Sequence, residues 1–113
     1  MAIKRTNTVG FVEVFRFAEK KYGISWNDCC ELFHRNEVLT YKGIDEFDPE
    51  WLSELIDPEC EMDDECNYDS MKVFKSITDE DVESEKDAYR KAYLIIIRFM
   101  QENNVSKLSI RND

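Results

Sequence analysis

TDEDVESEKDAYRKAYLIIIRFMQENN, residues 78–104, decides the fold of this chain. It opens on Thr78, followed at once by Asp79, Glu80 and Asp81. A hydroxyl that caps orphan amides, with carboxylates at the positive end of the dipole, marks a helix start. Val82, Tyr89, Ala92, Tyr93, Ile96, Phe99 and Met100 then recur on a helical period, and Asn103-Asn104 is a stop signal. The pattern predicts one long helix across the whole stretch. Its apolar run from Ala92 to Ile97 is six residues, the longest in the chain. A membrane span takes roughly 20 apolar residues, so the run reads as the buried centre of a small protein.

The flanks follow from that centre. Residues 105–110 read as a terminal strand. A strand over residues 71–77, with Met71, Val73 and Ile77 apolar around Lys75, is its expected partner. Towards the N-terminus, Phe11, Val14, Phe15, Ala18 and Tyr22 lie on one face of a helix over residues 9–22. Gly23 closes it in a left-handed cap. Ser25, with Asp28 three residues on, begins a second helix that runs to about Arg35. Residues 37–42 read as a short extended piece ended by Gly43. Asp48-Pro49-Glu50-Trp51 then starts a third helix that reaches about Ile56. The expectation is one α+β domain over residues 1–113, predominantly helical, with about four helices and a small two- or three-stranded sheet.

Hydrophobic residues make up 42% of the chain and aromatics 12%, a globular composition despite 35% charge. No apolar run follows the basic pair in MAIKRTNTVG, so a secretory signal is not expected. That points to the cytoplasm, where four cysteines stay reduced and read as metal ligands or buried thiols. The net charge of −10 is unevenly spread. Residues 45–69 hold 12 Asp or Glu and no Lys or Arg, leaving 13 acids against 15 bases elsewhere, a net of +2. Such a segment repels nucleic acid and anionic membrane and attracts basic protein surfaces.

Catalytic signatures are scarce. Three glycines lie far apart, which excludes the common phosphate-cradling loops. No Gly-x-Ser-x-Gly elbow occurs and His34 is the only imidazole. Cys30 and His34 sit one turn apart with no evident orienting group for a nucleophile, so an enzyme is not expected. The same pair reads better as metal ligands. Cys30-x-x-x-His34 places thiolate and imidazole on one helical face, about 6 Å apart. Cys60 and Cys66, five residues between them, complete a Cys₃His set suited to structural zinc. Cys29 points about 100° away from Cys30 and is expected in the core beside Phe33. Asp63, Glu65, Asn67 and Asp69 alternate as in a calcium loop. However, Tyr68 stands where that loop needs glycine and Phe74 where it needs a bidentate Glu.

Phe47, Trp51, Leu52, Leu55, Ile56, Met62 and Tyr68 interleave with the acids, which predicts a folded segment with an apolar and an anionic side. Extended at about 3.3 Å per residue, it carries one charge per roughly 7 Å. Helical at about 1.5 Å per residue, the spacing falls to roughly 3 Å, near the 3.4 Å or so of one DNA strand. A zinc clip at Cys60 and Cys66 favours the compact form. Asp57, Glu59, Glu61, Asp63, Asp64 and Glu65 are the expected charged contacts, with Trp51 or Tyr68 as aromatic anchors.

As a small, acidic, motif-poor chain carrying DEFDPEWLSELIDPECEMDDEC, the protein resembles phage-encoded anti-CRISPR inhibitors of type II effector nucleases. FVEVFRFAEKKYGISWNDCCELFHRNEVL is also similar in character to small prophage proteins of Gram-positive bacteria. The resemblance is one of overall profile and carries no residue correspondence. It implies a non-enzymatic inhibitor acting in the bacterial host cytoplasm. Such an inhibitor would bind the basic channel for the guide–target duplex and block DNA loading, without contacting nucleic acid or membrane itself. Two other readings share the same residues. One is an immunity protein or antitoxin that masks a toxin nuclease, and the other a zinc-stabilised structural or regulatory protein.

Overall fold

A computed structural model describes residues 7–40, 45–48, 52 and 74–111 of the chain. Its architecture is α+β and predominantly helical, as the sequence pattern requires. The helix over Ala88–Glu102, here α4, forms the centre. Eight of its 15 residues are buried, among them every one from 92 to 97. Burial that wraps the whole circumference means the other elements pack around α4.

Strand β1 (Asn7–Gly10) leads directly into helix α1 (Phe11–Tyr22). The expected helix start at Val9 therefore gives way to a strand. Val9 is a β-branched residue buried in the sheet, and Gly10 offers no side-chain cap for a helix to begin earlier. Gly23 ends α1 as expected, at φ 68°, where an L side chain is strained. Its amide and that of Ile24 return to the Glu19 and Ala18 carbonyls at 3.0 and 3.4 Å.

Helix α2 (Trp26–Cys30) starts on Ser25, whose hydroxyl accepts from the Asp28 amide at 3.3 Å. It runs on without a break into a π-helical turn, Glu31–Arg35. The Asn36 side chain ends this turn by donating to the Glu31 and Leu32 carbonyls at 2.8 and 3.3 Å. Residues 36–40 form turns and a bend, so the extended piece expected over residues 37–42 is not found in its described part; residues 41–44 lie outside the described set. The strand of this region is β2 (Asp45–Phe47). The Leu52 amide donates to the Asp48 carbonyl at 3.0 Å, the i to i−4 spacing of a helical turn, which fits the expected start at Asp48; the rest of the expected span lies outside the described residues.

Residues 74–76 are helical, which overturns the strand expected over residues 71–77 in its described part. The terminal strand does exist, as β3 (Leu108–Arg111), but its partners are others. β1 pairs with it in parallel (Val9 opposite Ile110) and β2 antiparallel (Phe47 opposite Leu108), giving the order β1-β3-β2. As the middle strand, β3 buries Leu108, Ser109 and Ile110 in succession.

The long helix expected over residues 78–104 is two helices, α3 (Asp79–Ser84) and α4. Thr78 and Asp81 form a reciprocal capping box at the start of α3. Between the helices, Glu85 is extended (φ −71°, ψ 123°), and Asp87 caps α4 by accepting from the Arg90 amide at 2.9 Å. Asp87 offers its carboxylate as a new N-cap where the sequence holds no apolar residue to carry a continuous helix past it.

Candidate metal ligands and the roots of the acidic segment

Of the four expected metal ligands, Cys30 and His34 are described, and Cys60 and Cys66 lie outside the described residues. So do the expected partner contacts Trp51, Asp57, Glu59, Glu61, Asp63, Asp64, Glu65 and Tyr68. Cys30 is the last residue of α2, and His34 sits in the π-helical turn that continues it. Both are half-buried. The His34 Nδ1 atom lies 3.0 Å from the Leu39 carbonyl oxygen. A carbonyl only accepts, so Nδ1 carries the proton, and in the neutral ring the lone pair is on Nε2. Metal-binding histidines are commonly oriented by such a bond from their other nitrogen. The rings of Phe11 and Phe15 flank the imidazole, each with its centroid 5.7 Å away, and limit its rotation. Among the described residues no three His, Cys, Asp or Glu side chains converge on a metal site.

Cys29 takes the other course. It is fully buried in the core that also contains Phe33, with its Sγ 4.0 Å from the Phe15 carbonyl and 3.9 Å from that of Ile24. Burial, assisted by the neighbouring Cys30 and Asp28, pushes its thiol up to about 12. A thiol held protonated in this way is neither a ready nucleophile nor a ready ligand.

The acidic segment is internal, and its described margins are set in the core. On the N-terminal side, Phe47 is held by β2–β3 pairing and packs on Tyr93 of α4 with ring centroids 6.0 Å apart. Leu52 is completely buried. Asp45, the first acid, accepts from the Thr40 amide and hydroxyl at 3.1 and 3.4 Å, so its charge is used to fix the strand entry. On the C-terminal side Phe74 is buried, and its carbonyl accepts a hydrogen bond from Gln101 Nε2 on α4.

Gln101 belongs to a polar seam that sequence reasoning missed. Arg98 Nε donates to Asp79 Oδ1 at 2.8 Å, Nη2 to Glu102 Oε1 at 3.0 Å, and Nη1 to Gln101 Oε1. The Tyr22 hydroxyl donates to Asp79 Oδ1 at 2.6 Å, and Lys21 Nζ to Glu102 Oε1 at 2.6 Å. The seam ties the end of α1 to the start of α3 and the last turns of α4. Hydrogen bonds from Arg98 and Tyr22 hold the Asp79 carboxyl below its ordinary value, and the bond from Lys21 does the same for Glu102. Burial, together with the bond to Asp79, raises Tyr22. The signal in the sequence was a single arginine inside an otherwise apolar helix face: Arg98 alone is not buried between residues 92 and 100.

No family model, curated protein or solved structure matches the chain.

Proposed function

We propose that the protein is a non-enzymatic binding protein whose acidic segment docks on a basic nucleic-acid-binding nuclease and blocks DNA loading. The observation that carries this reading is where the charge sits. The segment has 12 acids and no base in residues 45–69. Its described residues include two set in the core near its start, Phe47 and Leu52, and Phe74 is buried beyond its end. A free-running tail needs no such anchors. A recognition surface does, because ordering its charges before binding lowers the entropic cost of association.

Four charges of the helical part contrast with this. Lys21, Asp79, Arg98 and Glu102 are engaged with one another, and the Cys29 thiol is buried. A structural zinc held by Cys30, His34, Cys60 and Cys66 belongs to the reading. The bond from His34 Nδ1 to the Leu39 carbonyl supports it, since it sets the tautomer whose lone pair is on Nε2. Four protein ligands close the coordination sphere, so the metal would hold structure and bind no substrate. Native mass spectrometry with and without chelator tests this part. One zinc per chain, lost in Cys60→Ser/Cys66→Ser, is the expected result, and folded protein at the metal-free mass would remove the metal.

Binding itself is tested by titrating the protein against a guide-loaded type II CRISPR effector nuclease and against a basic toxin nuclease over a range of salt. Affinity for the first that falls steeply with salt and is lost on reversing Asp63, Asp64 and Glu65 to Lys supports the anti-CRISPR-like reading. The same behaviour with the toxin alone favours an immunity protein. Salt-insensitive binding, or none to either, sinks the docking reading and leaves a zinc-stabilised structural role.

A further inference from the structure

Helix α1 carries a second face beside the one it buries. Phe17, Lys20 and Lys21 stand at i, i+3 and i+4, so they line up along one side of its last turns. Glu102, at the end of α4, closes the other side, and the four residues line an open cavity of about 370 Å³. Ligand pockets start near this size, and a cavity of about 150 Å³ already holds a benzene ring. The space suits a bicyclic aromatic body with a short substituent. Its apolar wall is the Phe17 ring, which is only half-buried. Edge-on contacts with Phe99 and Tyr22, at centroid distances of 5.4 and 5.9 Å, hold that ring in place.

The charges of the wall differ in what they can offer a ligand. Glu102 Oε1 accepts from Lys21 Nζ at 2.6 Å and from Arg98 Nη2 at 3.0 Å, so its carboxylate is already engaged. Lys21 is engaged in turn by Glu102 and, at 3.6 Å, by Asp79. Lys20 is exposed and pairs with no acid among the described residues. Lys20 and Lys21 against Glu102 leave the lining one positive charge in excess. We infer that this cavity binds a small aromatic monoanion, an aryl or indolyl carboxylate, with its ring against Phe17 and its carboxylate on Lys20. The Lys21 ammonium lies 6.0 Å from the Phe17 ring centroid, so ring and cation already share this wall. The net charge of −10 opposes such a ligand only weakly, since exposed charges beyond about 8 Å are largely screened at physiological salt. The site uses no residue of the acidic segment or of the candidate metal set.

Three ligands built on one ring system test the inference by charge: indoleacetate, the neutral indoleacetamide and the cationic tryptamine. Each is titrated into the isotope-labelled chain at low salt and followed by amide chemical shifts. Indoleacetate is expected to move the amides of residues 17–21 and 102 and to saturate in the low millimolar range, as about a dozen heavy atoms allow. Indoleacetamide should bind about threefold to fivefold more weakly, the worth of one exposed ion pair, and tryptamine more weakly still. Lys20→Gln should erase the difference between indoleacetate and indoleacetamide. Phe17→Leu keeps an apolar residue but removes the ring, and should weaken all three ligands about fivefold. Lys86→Gln, at an exposed lysine outside the lining, should change nothing. No shift at residues 17–21 and 102, shifts centred elsewhere, or equal affinity for the three ligands overturns the inference. So does a preference for the carboxylate that survives Lys20→Gln, or wild-type affinity in Phe17→Leu. None of these outcomes bears on docking by the acidic segment.

Discussion

The interior of α4 and the acidic segment are opposite solutions to the use of side chains. In α4, residues 92–97 are all buried, and the charged residue that follows, Arg98, is bonded to Asp79 and Glu102. Residues 45–69 carry 12 acids with no base among them, so whatever balances that charge must come from elsewhere. The first region spends its chemistry on holding the chain together. The second concentrates one sign of charge far beyond what a small fold needs for solubility. The difference teaches where to look for function: in the region whose charge the local sequence does not neutralise.

Substitutions should keep the two regions apart. The largest effect on stability is expected in α4. Ile96→Ala opens a cavity at a fully buried site and should cost about 2–5 kcal/mol in denaturant unfolding. Arg98→Met comes next, at about 1–3 kcal/mol, because the charge-assisted hydrogen bonds of a guanidinium only 16% exposed are lost and the Gln101 amide oxygen loses its donor. Gly23→Ala should cost about 1 kcal/mol. No atom within 4 Å would meet the new Cβ, so the loss comes from the left-handed backbone alone. Reversal of Asp63, Asp64 and Glu65 should change stability least, within about 1 kcal/mol, while removing partner binding. A reversal that unfolds the protein would break the comparison.

Acid sharpens it further. The carboxyls of Asp79 and Glu102 titrate below their ordinary values in the folded protein. A lowered folded pKa gives stability that is present above the unfolded value and lost as pH falls through the folded one. Urea midpoints should therefore drop from about pH 4 downwards. In Arg98→Met the carboxyls return towards their unfolded values, and the slope of that acid limb should be shallower. An identical slope in both proteins would show that the seam does not couple to folding.

Local signals were legible, and distant ones were not. Ser25, Thr78 and Gly23 declare their helix ends because a cap is read within four residues, and each acts as expected. Asp87 was hidden because an acid in a charged stretch resembles any other solvent-facing acid until its carboxylate is seen on the Arg90 amide. The sheet was mispaired for a different reason. β1 and β3 stand about a hundred residues apart in sequence, and nothing in either strand names its partner. At the candidate site, the i,i+4 spacing of Cys30 and His34 was plain, whereas the Leu39 carbonyl that orients His34 comes from a turn no pattern announces. The chain of hydrogen bonds from Arg98 through Gln101 to Phe74 likewise depends on packing between distant elements.

The most direct test of the central claim is whether stoichiometric amounts of the protein prevent a guide-loaded type II effector nuclease from binding its target duplex. The account predicts full loss of duplex binding near one chain per nuclease, restored when Asp63, Asp64 and Glu65 are changed to Lys. Inhibition by that reversed variant equal to wild type, or undiminished duplex binding in excess wild-type protein, would contradict it.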